Sequence, residues 1–207
     1  MTETSESPQI YLVTPAELDL LTFPDQLKAC MDATEIACVR LALGTRDEAK
    51  ISRIADVLRE ITHERDIALV IDQHVSLVER LGLDGVHLTD GARSVRQVRK
   101  TLGEDAIVGA FCGNSRHDGM TAGELSADYV AFGPVGEDAL AGADPAPVEL
   151  FQWWSMMIEV PVVAEGKLDD AQIAALAPHT DFFGIGDEIW QHDKPAQRLT
   201  DLIAAMG

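Results

Sequence analysis

Short, continuous apolar runs alternate with amphipathic stretches along nearly the whole chain. Runs that are apolar at successive positions, rather than at every second one, are typical of strands buried on both faces of a parallel sheet. They predict eight strands, over residues 10–14, 36–43, 67–72, 84–88, 106–111, 128–133, 160–165 and 181–186. The stretches between them predict about as many helices, because their apolar residues recur at helical spacing.

The clearest predicted helix covers residues 45–62, where isoleucine and leucine side chains make one apolar face. Thr45, followed three residues later by Glu48, predicts a capping box at its start. Similar signals predict further helix boundaries: a start at Ser115 with Asp118, a start at Asp169 with Gln172, and an end at Gly82.

Eight strand–helix units in 207 residues predict one α/β domain, a single (β/α)8 TIM barrel over residues 10–207. The polar, acidic residues 1–9 are expected to form a flexible N-terminal segment. A doubly wound open sheet is the alternative fold, but no Gly-x-Gly-x-x-Gly follows the first predicted strand.

Net charge, apolar run length and cysteine content limit the classes of partner and the compartment. The formal charge of −19 argues against nucleic acid and against an anionic membrane surface, because both require a basic binding face. No apolar run approaches the roughly 18 residues that a membrane helix needs. Three cysteines in apolar surroundings, Cys30, Cys38 and Cys112, predict buried thiols in a reducing compartment, so we expect a cytoplasmic protein. Of Trp153 and Trp154, one is expected to pack on the barrel and the other to mark an interface, for which a homodimer is the prediction.

In a (β/α)8 barrel the functional site lies where the strands end at their carboxyl termini. The residues there include several carboxylates and few cations. The strand-end sequences are "YLVT", "LGLDGVHL", "SRHDGM" with "ADYVAFGP", "VPVVAEGKL" and "DFFGIGDEIW". In this order and spacing, over about residues 10–205, they resemble the thiamine phosphate synthase and thiazole tautomerase family.

The resemblance implies a barrel of the thiamine phosphate synthase type and a role in thiamine biosynthesis. Members of that family are transferases that join hydroxymethylpyrimidine diphosphate to thiazole phosphate and release pyrophosphate. Ionising the pyrimidine in this way needs Mg²⁺ and cations beside the departing diphosphate. The cofactor implied for an active member is therefore Mg²⁺.

Several motif positions of the family carry different residues in this chain. The second strand of the family ends Gln-x-Arg-x-Lys, where this chain has Arg40, Ala42 and Gly44. The family's Asn-Asp pair after the third strand becomes Asp72 and Gln73. The family's second Mg²⁺ ligand lies in the loop after the fourth strand, where this chain has Asp90. Because Mg²⁺ needs only one or two carboxylates beside substrate phosphates, Asp72 with Asp90 is the predicted metal pair.

The later strand ends differ in the same way. Phe111 stands where a hydroxyl group contacts pyrophosphate, and Gly113 replaces the histidine of the tautomerase branch. After Gly133 the family's Thr-x-Thr-Lys becomes a loop that contains Glu137 and Asp138. The two turns that hold thiazole phosphate in the family correspond to Gly166–Lys167 and to Gly186–Asp187.

Three side chains at the carboxyl ends of the strands each have more than one possible role or a role still to be tested. Arg40 is expected either to pair with an acid such as Asp72 or to await an anionic ligand. Lys167 either caps a phosphate or blocks the turn. His74, at a strand end, is a general acid–base candidate.

Three functions remain open at this point. The first is a divergent paralogue of thiamine metabolism in which the diphosphate- and Mg²⁺-binding residues are replaced and synthase catalysis is lost or altered. The second is an active synthase with relocated ligands, and the third is a ligand- or partner-binding barrel without turnover. The mouth has an acidic rim, in which two cations, Arg40 and Lys167, stand against Asp72, Asp90, Glu137, Asp138, Glu165, Asp187 and Glu188. This rim is expected to favour a neutral or cationic small molecule of the pyrimidine or thiazole type over a diphosphate.

Overall fold

The fold is a closed barrel of eight parallel strands in chain order, each paired with its sequence neighbours and β8 paired with β1. The computed structural model describes residues 7–136 and 144–207. The strands are β1 (Gln9–Val13), β2 (Ile36–Leu41), β3 (Ala68–Asp72), β4 (Gly85–Leu88), β5 (Ile107–Phe111), β6 (Tyr129–Phe132), β7 (Val162–Glu165) and β8 (Phe182–Ile185). The predicted fold and the number of strands are thereby confirmed, with several strands shorter than expected.

Helices follow the strands and cover the outside of the barrel. They are α1 (Phe23–Ala33), α2 (Glu48–His63), α3 (Val75–Leu81), α4 (Val95–Leu102), α5 (Arg116–Glu124), α6 (Val148–Met157), α7 (Asp170–Leu176), α8 (Asp187–Trp190) and α9 (Pro195–Ala204). None of these helices is both long enough and apolar enough to cross a membrane.

One predicted helix cap is wrong. The side chain of Asp47, not Thr45, caps α2 by accepting hydrogen bonds from the backbone N–H groups of Ala49 and Lys50. The hydroxyl of Thr45 instead accepts from the N–H of Asp47. The carboxylate therefore takes the amides of the first turn, and the helix begins at Glu48.

The other predicted helix boundaries are confirmed. Ser115 caps α5, and Asp169 forms a reciprocal capping box with Gln172 at the start of α7. Gly82 ends α3 in the left-handed conformation, with a φ of 63°.

The hydrophobic core has two layers. A large layer lies between the sheet and the helices, and a smaller one fills the barrel interior with side chains that include Tyr11, Cys38 and Tyr129. Gly109 on β5 makes room for this inner layer, because a Cβ atom there would lie 2.0 Å from Cζ of Tyr129. All three cysteine thiols are free and buried, as predicted.

The two neighbouring tryptophans of α6 differ in surroundings. Trp154 is buried and donates its indole N–H to the carbonyl of Val160 at 2.7 Å. Trp153 is half-buried, and the guanidinium of Arg116 lies over its ring, 4.7 Å from the centroid. Packing of one tryptophan on the barrel is confirmed, while the homodimer stays a prediction.

Two predictions concern residues that lie wholly or mostly outside those that the structure describes. The acidic loop residues Glu137 and Asp138 lie outside the described residues. Most of the predicted flexible segment, residues 1–9, also lies outside them, and its last residue, Gln9, begins β1.

Candidate functional site

A cleft of about 330 Å³ opens at the carboxyl ends of the strands, between β1, β2, β7 and β8. Its walls are made of glycine and small residues together with five charged side chains. The charged residues are Arg40, Glu165, Lys167, Asp187 and Glu188. Among the described residues, the cleft therefore carries two cations and three carboxylates.

Arg40 forms the floor of this cleft and is paired with acids from two other strands. Its side chain leaves β2 toward the barrel axis and is 9% exposed. Nη1 donates to Oε2 of Glu165 at 2.8 Å, and Nη2 lies 3.4 Å from Oε1 of the same carboxylate. Nε lies 3.4 Å from Oδ1 of Asp72 without a hydrogen bond between them. The first of the two predicted roles, pairing with an acid, is thus what the structure shows.

The pairing in this cluster affects the pKa values of Arg40 and Asp72 differently. Burial alone would lower the pKa of Arg40, but Glu165 and the other acidic neighbours raise it above its ordinary value, so the guanidinium stays charged. Burial raises the pKa of Asp72 to about 6, against the opposing effect of Arg40 and with a contribution from Glu165. The geometry explains the imbalance, because Glu165 takes the hydrogen bonds of Arg40 and Asp72 keeps only the longer contact.

This imbalance predicts a pH-dependent difference between the wild type and Asp72→Asn. A carboxyl group whose pKa is raised on folding stabilises the protein at low pH, and that stability is lost as pH rises through the folded-state pKa. Relative to Asp72→Asn, the wild type should lose about 2 kcal/mol of unfolding free energy between pH 4 and pH 7. Chemical denaturation across this range measures the difference. The exposed Asp25→Asn on α1 controls for the loss of one carboxylate, and parallel profiles for the wild type and Asp72→Asn would refute the prediction.

Below Arg40, a buried chain of hydrogen bonds continues through the barrel interior. Nη1 of Arg40 lies 2.8 Å from Nε2 of His87, and Nδ1 of His87 lies 2.9 Å from the hydroxyl of Tyr129. That hydroxyl lies 2.6 Å from the hydroxyl of Tyr11. Because a guanidinium only donates, Nε2 of His87 must accept and its proton must lie on Nδ1, from which it is donated to Tyr129.

Burial determines the charge of the side chains in this series of hydrogen bonds. It lowers the pKa of His87 well below its ordinary value, and the neighbouring Arg40 lowers it further. Burial also raises the pKa of Tyr11 and of Tyr129. The ring and both hydroxyls are therefore neutral near pH 7, and they orient Arg40 without changing its charge.

The structure brings about half of the predicted site residues together. Those that line the cleft are Arg40, Gly166, Lys167, Gly186 and Asp187. Asp72 joins them through its contact with Arg40. Gly133 is buried nearby, where a Cβ atom would lie 2.3 Å from the carbonyl oxygen of Glu165.

The remaining predicted residues contribute differently. Gln73 is exposed and left-handed, with a φ of 58°, and its backbone N–H donates to the carbonyl of His87. His74 is half-buried and precedes α3. Asp90 is exposed and accepts a hydrogen bond from Ser94 at 2.6 Å. Phe111 is half-buried against the inner apolar layer.

The predicted magnesium pair does not fit this arrangement well. Oδ1 of Asp72 faces the guanidinium of Arg40, so a divalent cation bound there would stand against a fixed positive charge. Within the described residues, no three histidine, cysteine, aspartate or glutamate side chains form a group that could hold a metal ion. Magnesium binding by Asp72 and Asp90 stays a prediction, and no chemical step is assigned to it.

Two carboxylates, Glu165 and Glu188, were predicted only as part of the acidic rim of the mouth and not as ligand-binding residues, and their partners were not predicted. A signal for Glu165 was present in the sequence, because it lies two residues after the inward-facing Val163 on the same strand. The partners of Glu188 could not be predicted in this way, since they are backbone amides of two separate turns.

Comparisons with known proteins agree with the fold and with the family that the sequence resembles. A family model described as thiamine monophosphate synthase matches residues 10–185. A thiamine-phosphate synthase from Rhodospirillum centenum is 38% identical over 96% of this chain and 97% of its own length. A second, from Erythrobacter litoralis, is 34% identical over 99% of this chain and all of its own length.

Solved structures show the same fold. A thiamine phosphate pyrophosphorylase from Pyrococcus furiosus superposes with a TM-score of 0.82 at 17% identity, with 96% of each chain covered. A 3-hexulose-6-phosphate synthase from Salmonella typhimurium has a TM-score of 0.71 at 14% identity, with 96% of this chain and 98% of that chain covered. The structural likeness therefore extends to a barrel with another name, whereas both of the sequence relatives are thiamine-phosphate synthases. The chain belongs to the thiamine monophosphate synthase family.

Proposed function

We propose that this family member binds a neutral or cationic heterocycle of the pyrimidine or thiazolium type at the barrel mouth and has lost the synthase reaction. One observation carries the proposal: Arg40, the buried cation of the cleft, is neutralised by Glu165 and faces Asp72. A cation held in this way has little attraction left for an incoming diphosphate.

Displacement of pyrophosphate needs cations that stabilise the charge of the departing group. The resemblance places two such cations at positions 42 and 44, where this chain has an alanine and a glycine. Ala42 lines the cleft and adds no charge to it. Lys167 is the remaining cation of the lining, and it is exposed beside Asp187 and Glu188 in the same cleft. The balance of charge supports a ligand without a diphosphate.

The second candidate function is an active thiamine phosphate synthase. It is favoured by the two relatives named as thiamine-phosphate synthases, which match nearly the full length of the chain at 34% and 38% identity. Such an enzyme would need Mg²⁺ and a cation for the departing diphosphate, supplied by Lys167 or by Arg40 once it is released from Glu165.

Complementation separates the two candidates. Expressed in a bacterial strain that lacks its own thiamine phosphate synthase, this chain is expected not to restore growth without thiamine. A strain that expresses the Rhodospirillum centenum relative at the same level serves as the comparison. Growth of both strains with added thiamine shows that they are viable. Growth supported by this chain without thiamine would overturn the proposal and favour the active synthase.

A further inference from the structure

Glu188 lies in the cleft with both carboxylate oxygens bound to backbone amides. Oε2 accepts from the N–H of Gly186 at 2.7 Å, and Oε1 accepts from the N–H of Leu168 at 3.1 Å. The side chain is half-buried and lines the same cleft as Arg40 and Lys167. A carboxylate that bridges two amides in this way is an anion already bound by the backbone.

The two amides belong to different turns of the barrel. Gly186 follows β8 directly, and Leu168 comes three residues after the end of β7. The chain is left-handed at Gly166 and at Lys167, with φ values of 86° and 59°, so it reverses just before Leu168. Two N–H groups from separate turns thus converge on one acceptor at the wall of the cleft.

A phosphate group presents the same kind of acceptor oxygens to backbone amides as a carboxylate does. To use these two N–H groups, a phosphate would have to displace Glu188 or share the position with a like charge. The neighbouring Asp187 adds a further negative charge to the same wall. The arrangement therefore disfavours binding of a ligand's phosphate group in this part of the cleft.

We propose that Glu188 is an internal anion that closes these two amides to phosphate, so that the cleft selects a ligand whose arm carries no phosphate group. The inference rests on the proposed function for the identity of the heterocycle, and it adds which form of that ligand is taken. It makes Glu188 the specificity-determining residue of the cleft.

Three variants separate this role from the effect of charge alone. Glu188→Ala removes the carboxylate and exposes both amides, whereas Glu188→Gln leaves one acceptor oxygen and is expected to have a smaller effect. Asp187→Ala removes the same charge from the adjacent residue of the same cleft but leaves Glu188 on its amides. A helical circular dichroism spectrum and an unfolding transition for each variant show that it is folded.

The first measurement follows the backbone ¹⁵N–¹H resonances of Gly186 and Leu168 during a titration with inorganic phosphate. In Glu188→Ala both resonances should shift, with an affinity at least about tenfold above that of the wild type and of Asp187→Ala. An equal response of these two amides in the wild type, or an equal gain in Asp187→Ala, would overturn the proposal.

The second measurement compares thiamine with thiamine phosphate by calorimetry. The wild type should bind thiamine phosphate no more tightly than thiamine, and Glu188→Ala should reverse this order by about tenfold. If neither compound binds but the phosphate titration behaves as expected, the proposed function fails and the role of Glu188 stands. If thiamine binds and the variants leave the phosphate preference unchanged, the role of Glu188 fails and the proposed function stands.

Discussion

Replacing Glu165 by leucine is expected to lower the free energy of unfolding by about 3 kcal/mol. The substitution leaves the guanidinium of Arg40, only 9% exposed, with the longer contact to Asp72 and the bond to His87. Arginine cannot shed its proton to escape this environment, so the cost of an unpaired buried charge must be met by the fold. Equilibrium denaturation in urea measures the loss.

Two variants test whether the loss comes from the charge. Glu159→Leu removes an exposed glutamate a few residues earlier in the chain and should change the unfolding free energy by no more than about 0.5 kcal/mol. The double variant Arg40→Leu with Glu165→Leu removes both charges of the pair and should recover most of the loss, because buried ion pairs are replaceable by apolar residues. Equal stability of Glu165→Leu and the wild type would show that Arg40 does not depend on this pair.

The barrel itself follows from local patterns in the sequence. Each strand is apolar at successive positions, which burial on both faces requires, and each is followed by a helical segment. Strand ends were less accurate because they depend on pairing and on side chains elsewhere. The seventh strand was predicted to start at residue 160, but the carbonyl of Val160 accepts from the indole of Trp154 and β7 starts at Val162.

Helix starts show a similar limit. Thr45 and Asp47 both offer a capping oxygen before the same apolar stretch, and the sequence does not rank them. The structure selects Asp47, whose carboxylate accepts from two amides of the first turn. Where one side chain offers the cap, as at Ser115, the prediction held.

The site was predictable only in part because its bonds join distant strands. The inward direction of Arg40 follows from the alternation of side chains along β2, and its need for an acid follows from its burial. Which acid it takes depends on closure of the barrel, since Glu165 is 125 residues away in the chain. The partner amides of Glu188 depend in the same way on two turns that meet only in the folded protein.

The largest functional effect is expected in the choice of ligand. The described part of the cleft has three carboxylates and two cations, and one of these cations, Arg40, is already paired. The excess negative charge of the cleft attracts a thiazolium cation and repels a diphosphate. The diphosphate must also compete with Glu165 for Arg40. Calorimetry should therefore give an association constant for thiamine at least about tenfold above that for hydroxymethylpyrimidine diphosphate.

The central claim is that the mouth of this barrel no longer recruits a diphosphate, and one titration tests it most directly. Hydroxymethylpyrimidine diphosphate is titrated calorimetrically into the wild-type protein with and without Mg²⁺, beside a parallel titration with thiamine. The account predicts heat from thiamine and weak or undetectable binding of the diphosphate under both conditions. Tight, Mg²⁺-dependent binding of the diphosphate alone would contradict it.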